Sequence, residues 1–320
     1  MSKKGGKRIT VDIDKLKQIN PENADWMKIF FESKQNLSKQ SLIQYENALQ
    51  IFMIWVLDNC NNKAFTDLKK RDFLRYQNFL LNLGLSSSAI KLKRSAVSSL
   101  CNLIENYYQD EYPLFRSIVK GVENVPLTRV YNKEPLTKEE MDILREYLAK
   151  NELWQELAYL EVSYSTAGRR AEIRQIYKNV VNNEPNSKGF YTTNMVRCKG
   201  KGRQGVVRPL YFSQQAMDAI KKWIDVRGED SCKYLFVSKY GGKIRQISAG
   251  AFNDWCINIF SEVVGRRVHP HLLRSSRATH LVVDKGKDIN SAKNLLGHLS
   301  SNTTEIYVIR DETESLEDCF

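Results

Sequence analysis

His269-Pro270-His271-Leu272-Leu273-Arg274, then Leu295-Leu296-Gly297-His298, then Thr303-Thr304-Glu305-Ile306-Tyr307 follow one another near the C-terminal end of the chain. Far upstream stands Thr166-Ala167-Gly168-Arg169-Arg170-Ala171-Glu172. Arginines, histidines and a tyrosine suit one task, holding a phosphodiester and attacking it. A guanidinium fork matches phosphate oxygens in bidentate geometry, and a phenol attacks once its proton has an acceptor. All four histidines (His269, His271, His280 and His298) lie in this C-terminal stretch, a clustering that packing alone explains poorly. His271 and Arg274 are three apart and share a face if helical. Gly297 can end the preceding helix in a left-handed conformation. Ser300, Ser301 or Asn302 can then cap a short helix carrying Tyr307.

The bulk composition agrees with a nucleic-acid enzyme. A length of 320 residues predicts two domains, each with its own core. Charged residues at 27% and hydrophobic ones at 42% are ordinary for a soluble globular protein, but a net charge of +12 is not. It points to a polyanionic partner whose affinity falls as salt rises. Cys60, Cys101, Cys198, Cys232, Cys256 and Cys319 are scattered singly, which fits reduced thiols rather than a disulfide framework or a zinc site. Met1 to Arg8 is rich in lysine and glycine with no apolar core, so it does not resemble a secretory signal. The apolar run Ile51–Leu57 is too short to span a bilayer.

Along the chain, residues 1–20 read as a flexible basic arm and 21–121 as a helical domain. Ser38 caps a helix through Leu42, Tyr45, Leu49 and Phe52. Thr66 or Asp67 opens a second, ended by Gly84, and Ser86-Ser87-Ser88 opens a third bearing Lys91, Lys93 and Arg94. Those three cations are either a solvated face or a DNA-facing one. The pattern lapses over 122–136, an expected linker. Thr137-Lys138-Glu139-Glu140 then has capping-box spacing. Residues 137–310 mix helices with strand-like segments around Gly189–Thr193, Met195–Cys198 and Val206–Leu210. The turn Lys199–Gly205 would expose lysine at a hairpin tip. Further helices are expected around Ser213–Arg227, Ala249–Val264, Pro270–Asp284 and Asn290–Leu296.

Taken in order, these residues resemble the tyrosine recombinases, or phage-integrase family. Thr166-Ala167-Gly168-Arg169-Arg170-Ala171-Glu172-Ile173 is similar to the family box T-G-x-R-x-x-E-L. Gly200-Lys201-Gly202 through Pro209-Leu210 resembles its β-hairpin lysine motif. His271-Leu272-Leu273-Arg274 with Ala278-Thr279 resembles H-x-L-R-H-x-A-T, and Leu296-Gly297-His298 through Thr303-Thr304 to Tyr307 resembles L-G-H leading to T-x-x-Y. Three positions depart from the pattern: Ala167 takes the usual glycine, Ser275 the frequent second histidine, and Arg208 a usually apolar position. The resemblance spans about residues 22 to 310. It implies an all-α N-terminal core-binding, SAM-like domain joined to a mixed α/β, mainly helical catalytic domain with a small antiparallel sheet.

The resemblance also implies a catalytic set of Arg169, Lys201, His271, Arg274, His298 and Tyr307, supported by Glu172. The arginines and His298 would hold the phosphate, His271 would take the tyrosine proton, and Lys201 would protonate the leaving 5′-oxygen. A 3′-phosphotyrosine conserves bond energy, so no metal or other cofactor is expected. The implied partners are double-stranded DNA with an inverted-repeat core site and a homotetramer on two such sites, passing through a Holliday junction. The expected location is cytoplasmic, with the nucleoid, and no membrane is involved. Lys91, Lys93, Arg94, Lys199, Arg203 and Arg277 are candidate DNA contacts. His269 reads as a loop residue or backbone contact, His280 as a helix-surface residue, and Arg170, Arg266 and Arg267 as phosphate contacts or surface charge. A type IB topoisomerase would use the same tyrosine chemistry, and an accessory DNA-binding protein would share the charge without the cleavage. The tail, 311–320, carries Asp311, Glu312, Glu314, Glu317 and Asp318, charge better placed on a basic neighbouring protomer than along DNA.

Overall fold

A computed structural model describes residues 9–34, 36–126, 134–200, 205–297, 301–305, 307 and 308. The chain divides into two units, Met1–Tyr131 and Asn132–Phe320. Residues 1–8 of the expected arm, 127–133 of the expected linker and the acidic tail lie outside the described residues.

The regular elements described in the first unit are all helical: α1 (Ile13–Leu16), α2 (Pro21–Ser33), α3 (Lys39–Asn59), α4 (Lys70–Asn82) and α5 (Ser87–Tyr107). Ser38 caps α3 by accepting from the Ser41 N–H, and Ser86 caps α5 by accepting from Ala89. The second cap falls elsewhere than the sequence suggests. Thr66 and Asp67 form a 3₁₀ turn, and α4 starts after Lys69, whose N–H donates to Asp72 Oδ2 at 2.9 Å. Residues 9–20 also differ from the expected flexible arm. Asp12 caps α1, Ile19 is buried, Ile9, Val11 and Leu16 pack on the core, and Lys15 pairs with Asp58 at 2.6 Å. Apolar side chains packed on the core hold this stretch, in which Asp12 and Asp14 balance the charge of Lys15 and Lys17. The core centres on Phe52, whose ring lies 4.8 Å from that of Tyr76 and 6.1 Å from that of Phe65.

The cations of α5 separate according to the face they occupy. Lys91 is exposed, whereas Lys93 is buried, and burial lowers the pKa of its amine. Arg94 turns inward as well. Its guanidinium donates to the carbonyls of Val119, Val122 and Glu123 and to Gln77 Oε1, and it lies over the Phe73 ring. Lys93 and Arg94 are thus engaged within the unit, whereas Lys91 faces outward. Arg94 anchors the segment that leaves the unit.

The second unit holds α6 (Lys138–Lys150), α7 (Trp154–Thr166) and α8 (Arg170–Ile173), then β1 (Tyr191–Thr192), β2 (Val196–Cys198), β3 (Val206–Arg208) and β4 (Tyr211–Phe212). It continues with α9 (Gln214–Arg227), β5 (Val237–Tyr240), β6 (Lys243–Gln246), α10 (Ala249–Trp255), α11 (Ser261–Val264), α12 (Pro270–Thr279), α13 (Ile289–Leu296) and α14 (Ser301–Glu305). The strands pair antiparallel as β1 with β4, β2 with β3 and β5 with β6. Thr137 and Glu140 close the capping box of α6. Two stretches expected as continuous helix widen into π-turns, Cys256–Phe260 and His280–Asp284. The β5–β6 hairpin was not anticipated, although Gly241-Gly242 is a strong signal for it. Both residues have positive φ (56° and 72°), which a two-residue turn of this twist requires. The core gathers around the stacked rings of Tyr159 and Phe252, 4.2 Å apart. Among the described residues no helix is long and apolar enough to cross a membrane.

Replacing Arg94 by Met should cost the N-terminal unit about 2–3 kcal/mol, because buried carbonyls lose a charged donor. Lys91→Met, on the exposed side of the same helix, should stay within about 0.5 kcal/mol. Urea unfolding of both variants, followed by tryptophan fluorescence, checks the difference.

Candidate active site

The site is built where three helices meet. His269 begins α12: its Nδ1 accepts the Leu272 N–H at 3.1 Å, and Pro270 takes the first helical position. His269 is thus a cap rather than a simple loop residue. From this start α12 presents His271 to solvent and turns Arg274 fully inward. The Arg274 Nη1 donates to the Ala167 carbonyl and Nη2 to the Leu296 carbonyl at 2.9 Å. Burial, and next the charge of Arg169, pull the Arg274 guanidinium below its ordinary pKa. A guanidinium remains cationic at neutral pH even so.

Both carbonyls are aimed by left-handed residues at helix ends. Ala167 ends α7 with φ 49° and ψ 28°, and Gly297 ends α13 with φ 66°. A Cβ at Gly297 would also fall 2.4 Å from Arg208 Cζ, so the end of the Arg208 side chain would have to move. Arg208, at the end of β3, donates to the Leu295 carbonyl at 3.2 Å. Its departure from an apolar family position therefore has a structural use, tying the β2–β3 hairpin to α13.

Arg169 precedes α8, and a buried carboxylate holds it twice. Its N–H donates to Glu172 Oε2 at 3.0 Å and its Nη1 to Oε1 at 2.9 Å. Gly168 allows the chain to pass here, because a Cβ would sit 2.9 Å from Thr166 Oγ1 and 3.0 Å from Ile173 Cγ1.

Tyr307 follows α14, its N–H donating to the Thr304 carbonyl at 2.8 Å. With Leu295 and Val308 it packs on Ala167, Ala278 and Leu296. The Arg274 Cζ lies 5.0 Å from the Tyr307 ring centroid, and the two side chains are hydrogen-bonded. The His271 ring centroid is 6.5 Å from that of Tyr307. The structure thus brings Arg274, His271 and Tyr307 together, with Arg169 electrostatically coupled to Arg274. Lys201, Arg203 and His298 lie outside the described residues. Lys199 is exposed at the end of β2. Among the described residues no cluster of His, Cys, Asp and Glu could hold a metal ion.

Several residues have duties that the sequence did not disclose. His280 is buried rather than on a helix surface: its Nδ1 meets the Tyr164 hydroxyl at 2.6 Å, and the ring hydrogen-bonds the Leu136 carbonyl. One turn earlier on α12, Ser276 Oγ accepts the Leu136 N–H at 2.8 Å. Arg277 is half-buried, its guanidinium lying 5.2 Å from the Tyr164 ring centroid. Arg266 grips Glu140 with two hydrogen bonds and reaches the carbonyls of Glu134 and Pro135. Together these side chains fasten residues 134–140 to the helix that carries His271 and Arg274.

Comparison with known proteins agrees with this architecture. Residues 134–314 match the phage integrase family, and the chain belongs to that family. It is a tyrosine-type site-specific recombinase acting on DNA, an enzyme class that breaks and rejoins strands. The SPbeta prophage-derived recombinase-like protein YomM of Bacillus subtilis (strain 168) is 31% identical over 309 residues, covering 95% of this chain and 92% of that protein. Tyrosine recombinase XerC of Lacticaseibacillus casei (strain BL23) is 26% identical, covering 87% and 90%. The crystal structure of a lambda integrase tetramer bound to a Holliday junction shares the fold, with a TM-score of 0.64 at 14% identity, covering 89% of this chain and 76% of that one.

Burial lowers the His280 pKa from its ordinary 6.5. A histidine kept neutral in the folded state gives stability that is present above the unfolded pKa and is lost as pH falls toward the folded one. Wild type should therefore lose melting temperature between pH 7.5 and 5.5 more steeply than His280→Gln, and thermal melts at the two pH values check this.

Proposed function

We propose that Tyr307 is the nucleophile and that Arg169 and Arg274 hold the scissile phosphate. The observation carrying this reading is the Arg274 guanidinium over the Tyr307 ring, hydrogen-bonded to its side chain, with His271 beside it. A tyrosine with its ordinary pKa near 10 attacks poorly at neutral pH. Positive charge beside the attacking oxygen stabilises the charge that builds on the phosphate in the transition state.

In this mechanism the Tyr307 oxygen bonds to phosphorus as the bond to the 5′-oxygen breaks. His271 accepts the phenol proton, and Lys201 supplies a proton to the departing 5′-oxygen. His298 donates to a non-bridging oxygen. Glu172 acts through Arg169 by fixing its direction. The product is a 3′-phosphotyrosine, and attack by the other strand's 5′-hydroxyl reverses the step. Two such exchanges through a Holliday junction, by a homotetramer on two inverted-repeat sites, complete recombination. The tetramer named for lambda integrase supports this part by fold likeness. The helical first unit serves as the core-binding domain, with Lys91 among its DNA contacts, and Lys199, Arg203 and Arg277 contribute from the second. The work takes place in the cytoplasm on nucleoid DNA.

Tyr307→Phe should retain duplex binding and form no covalent adduct on a nicked suicide substrate, while wild type is trapped. An adduct with the Phe variant would assign the nucleophile elsewhere. Lys201→Ala should slow cleavage of a normal phosphodiester about 10²–10⁴-fold, the range for a general acid, and slow a substrate with 5′-bridging sulfur far less. Equal defects on the two substrates would remove lysine from the role.

A further inference from the structure

The β5–β6 hairpin has two unlike faces. Pairing sets Tyr240 opposite Lys243, Lys239 opposite Ile244, Ser238 opposite Arg245 and Val237 opposite Gln246. Side chains alternate along each strand, so Val237, Ile244 and Gln246 share one face, while Tyr240, Lys243 and Arg245 share the other. The first face is spent on the fold. Val237 is buried and Ile244 packs on the core. Gln246 donates to the Arg174 carbonyl at 2.8 Å and accepts from Arg174 Nη2 at 2.9 Å.

The second face is turned to solvent. Tyr240 is 75% exposed, and Lys243 and Arg245 are exposed beside it. The Arg245 guanidinium lies 5.4 Å from the Tyr240 ring centroid, so the two make one flat, cationic plate. Between Asp230 and Asp254 the sequence holds no carboxylate, while Lys233, Lys239, Lys243 and Arg245 all fall there. A solvated surface hairpin usually mixes the two signs of charge. A single-sign face with an exposed aromatic at its tip fits a polyanion that also offers apolar surface, as the sugar-phosphate wall of a duplex does.

The base of the hairpin leads directly to the active site. Arg174, which Gln246 holds, ends α8, the four-residue helix that Arg169 precedes. A contact made by the hairpin therefore fixes a distance to Arg169 with little intervening slack.

We propose that this hairpin is a second duplex contact of the catalytic unit: Lys243 and Arg245 meet backbone phosphates, the Tyr240 ring lies on deoxyribose, and Gln246–Arg174 transmits the resulting register to Arg169. The proposal rests on the recombinase reading above and adds to it a site outside the catalytic set.

The test uses the full chain and a labelled duplex of random sequence, with affinity measured by fluorescence anisotropy across a salt series. Each phosphate contact contributes about 0.9 to the slope of log affinity against log salt. The double variant Lys243→Ala, Arg245→Ala should lower that slope by about 2. Tyr240→Ala should weaken binding several-fold and leave the slope unchanged. Both variants should melt like wild type, since the altered side chains are exposed. A double variant with the wild-type slope overturns the hairpin contact while wild-type and Tyr307→Phe binding leave the recombinase reading standing. Failure of wild type to bind the duplex overturns both.

Discussion

A positive charge in the protein interior sets the terms for the rest of the catalytic unit. Removing a guanidinium from water costs several kcal/mol unless fixed partners replace the lost hydration. Arg274 is wholly buried, and its partners include the carbonyls of Ala167 and Leu296. Each lies at the C-terminal end of a helix, where the aligned peptide dipoles are negative. Two helices must therefore end at chosen residues, each with a left-handed turn, and a third must begin at His269-Pro270 so that its second turn delivers the arginine between them. Dipoles hold the guanidinium without cancelling its charge, which leaves that charge able to act on an anion.

Arg169 is held by different means. Its partner is a buried carboxylate that binds both the main chain and the side chain of the same residue. The two arginines thus differ in local charge. Arg208 adds a mechanical tie, because its bond to Leu295 links the root of the lysine-bearing hairpin to the helix that ends before His298. Groups far apart in the chain are in this way referred to one frame.

The sequence displayed the chemistry more clearly than the supports. Arg169, His271, Arg274 and Tyr307 stood in legible boxes, and caps such as Ser38, Ser86 and Thr137 followed from local rules that need no tertiary information. What escaped was decided by long-range contact. Nothing near His280 signals that Leu136, far away in the chain, will cover it. Lys93 and Arg94 look like any basic helix face until the segment 119–123 folds over Arg94. Asp12 through Ile19 looked like a polar arm because a single turn of helix is too short to show a period. The Gly241-Gly242 hairpin is a different case, since its signal is local: two adjacent glycines, both at positive φ, between short strands.

Ala167 carries a consequence for how this family box can vary. An alanine in the left-handed region is strained by about 1–2 kcal/mol, which glycine would relieve. Glycine would also cost about 0.5–1 kcal/mol in chain entropy and would remove a buried methyl that packs with Ala278 and Leu296, about another 1 kcal/mol. The opposing effects nearly cancel. What the site needs from residue 167 is the direction of a carbonyl, and either residue provides it. The position is thus close to neutral ground, where lineages can exchange alanine and glycine in both directions without altering the hold on Arg274, and an alanine in the box is no sign of a silenced enzyme.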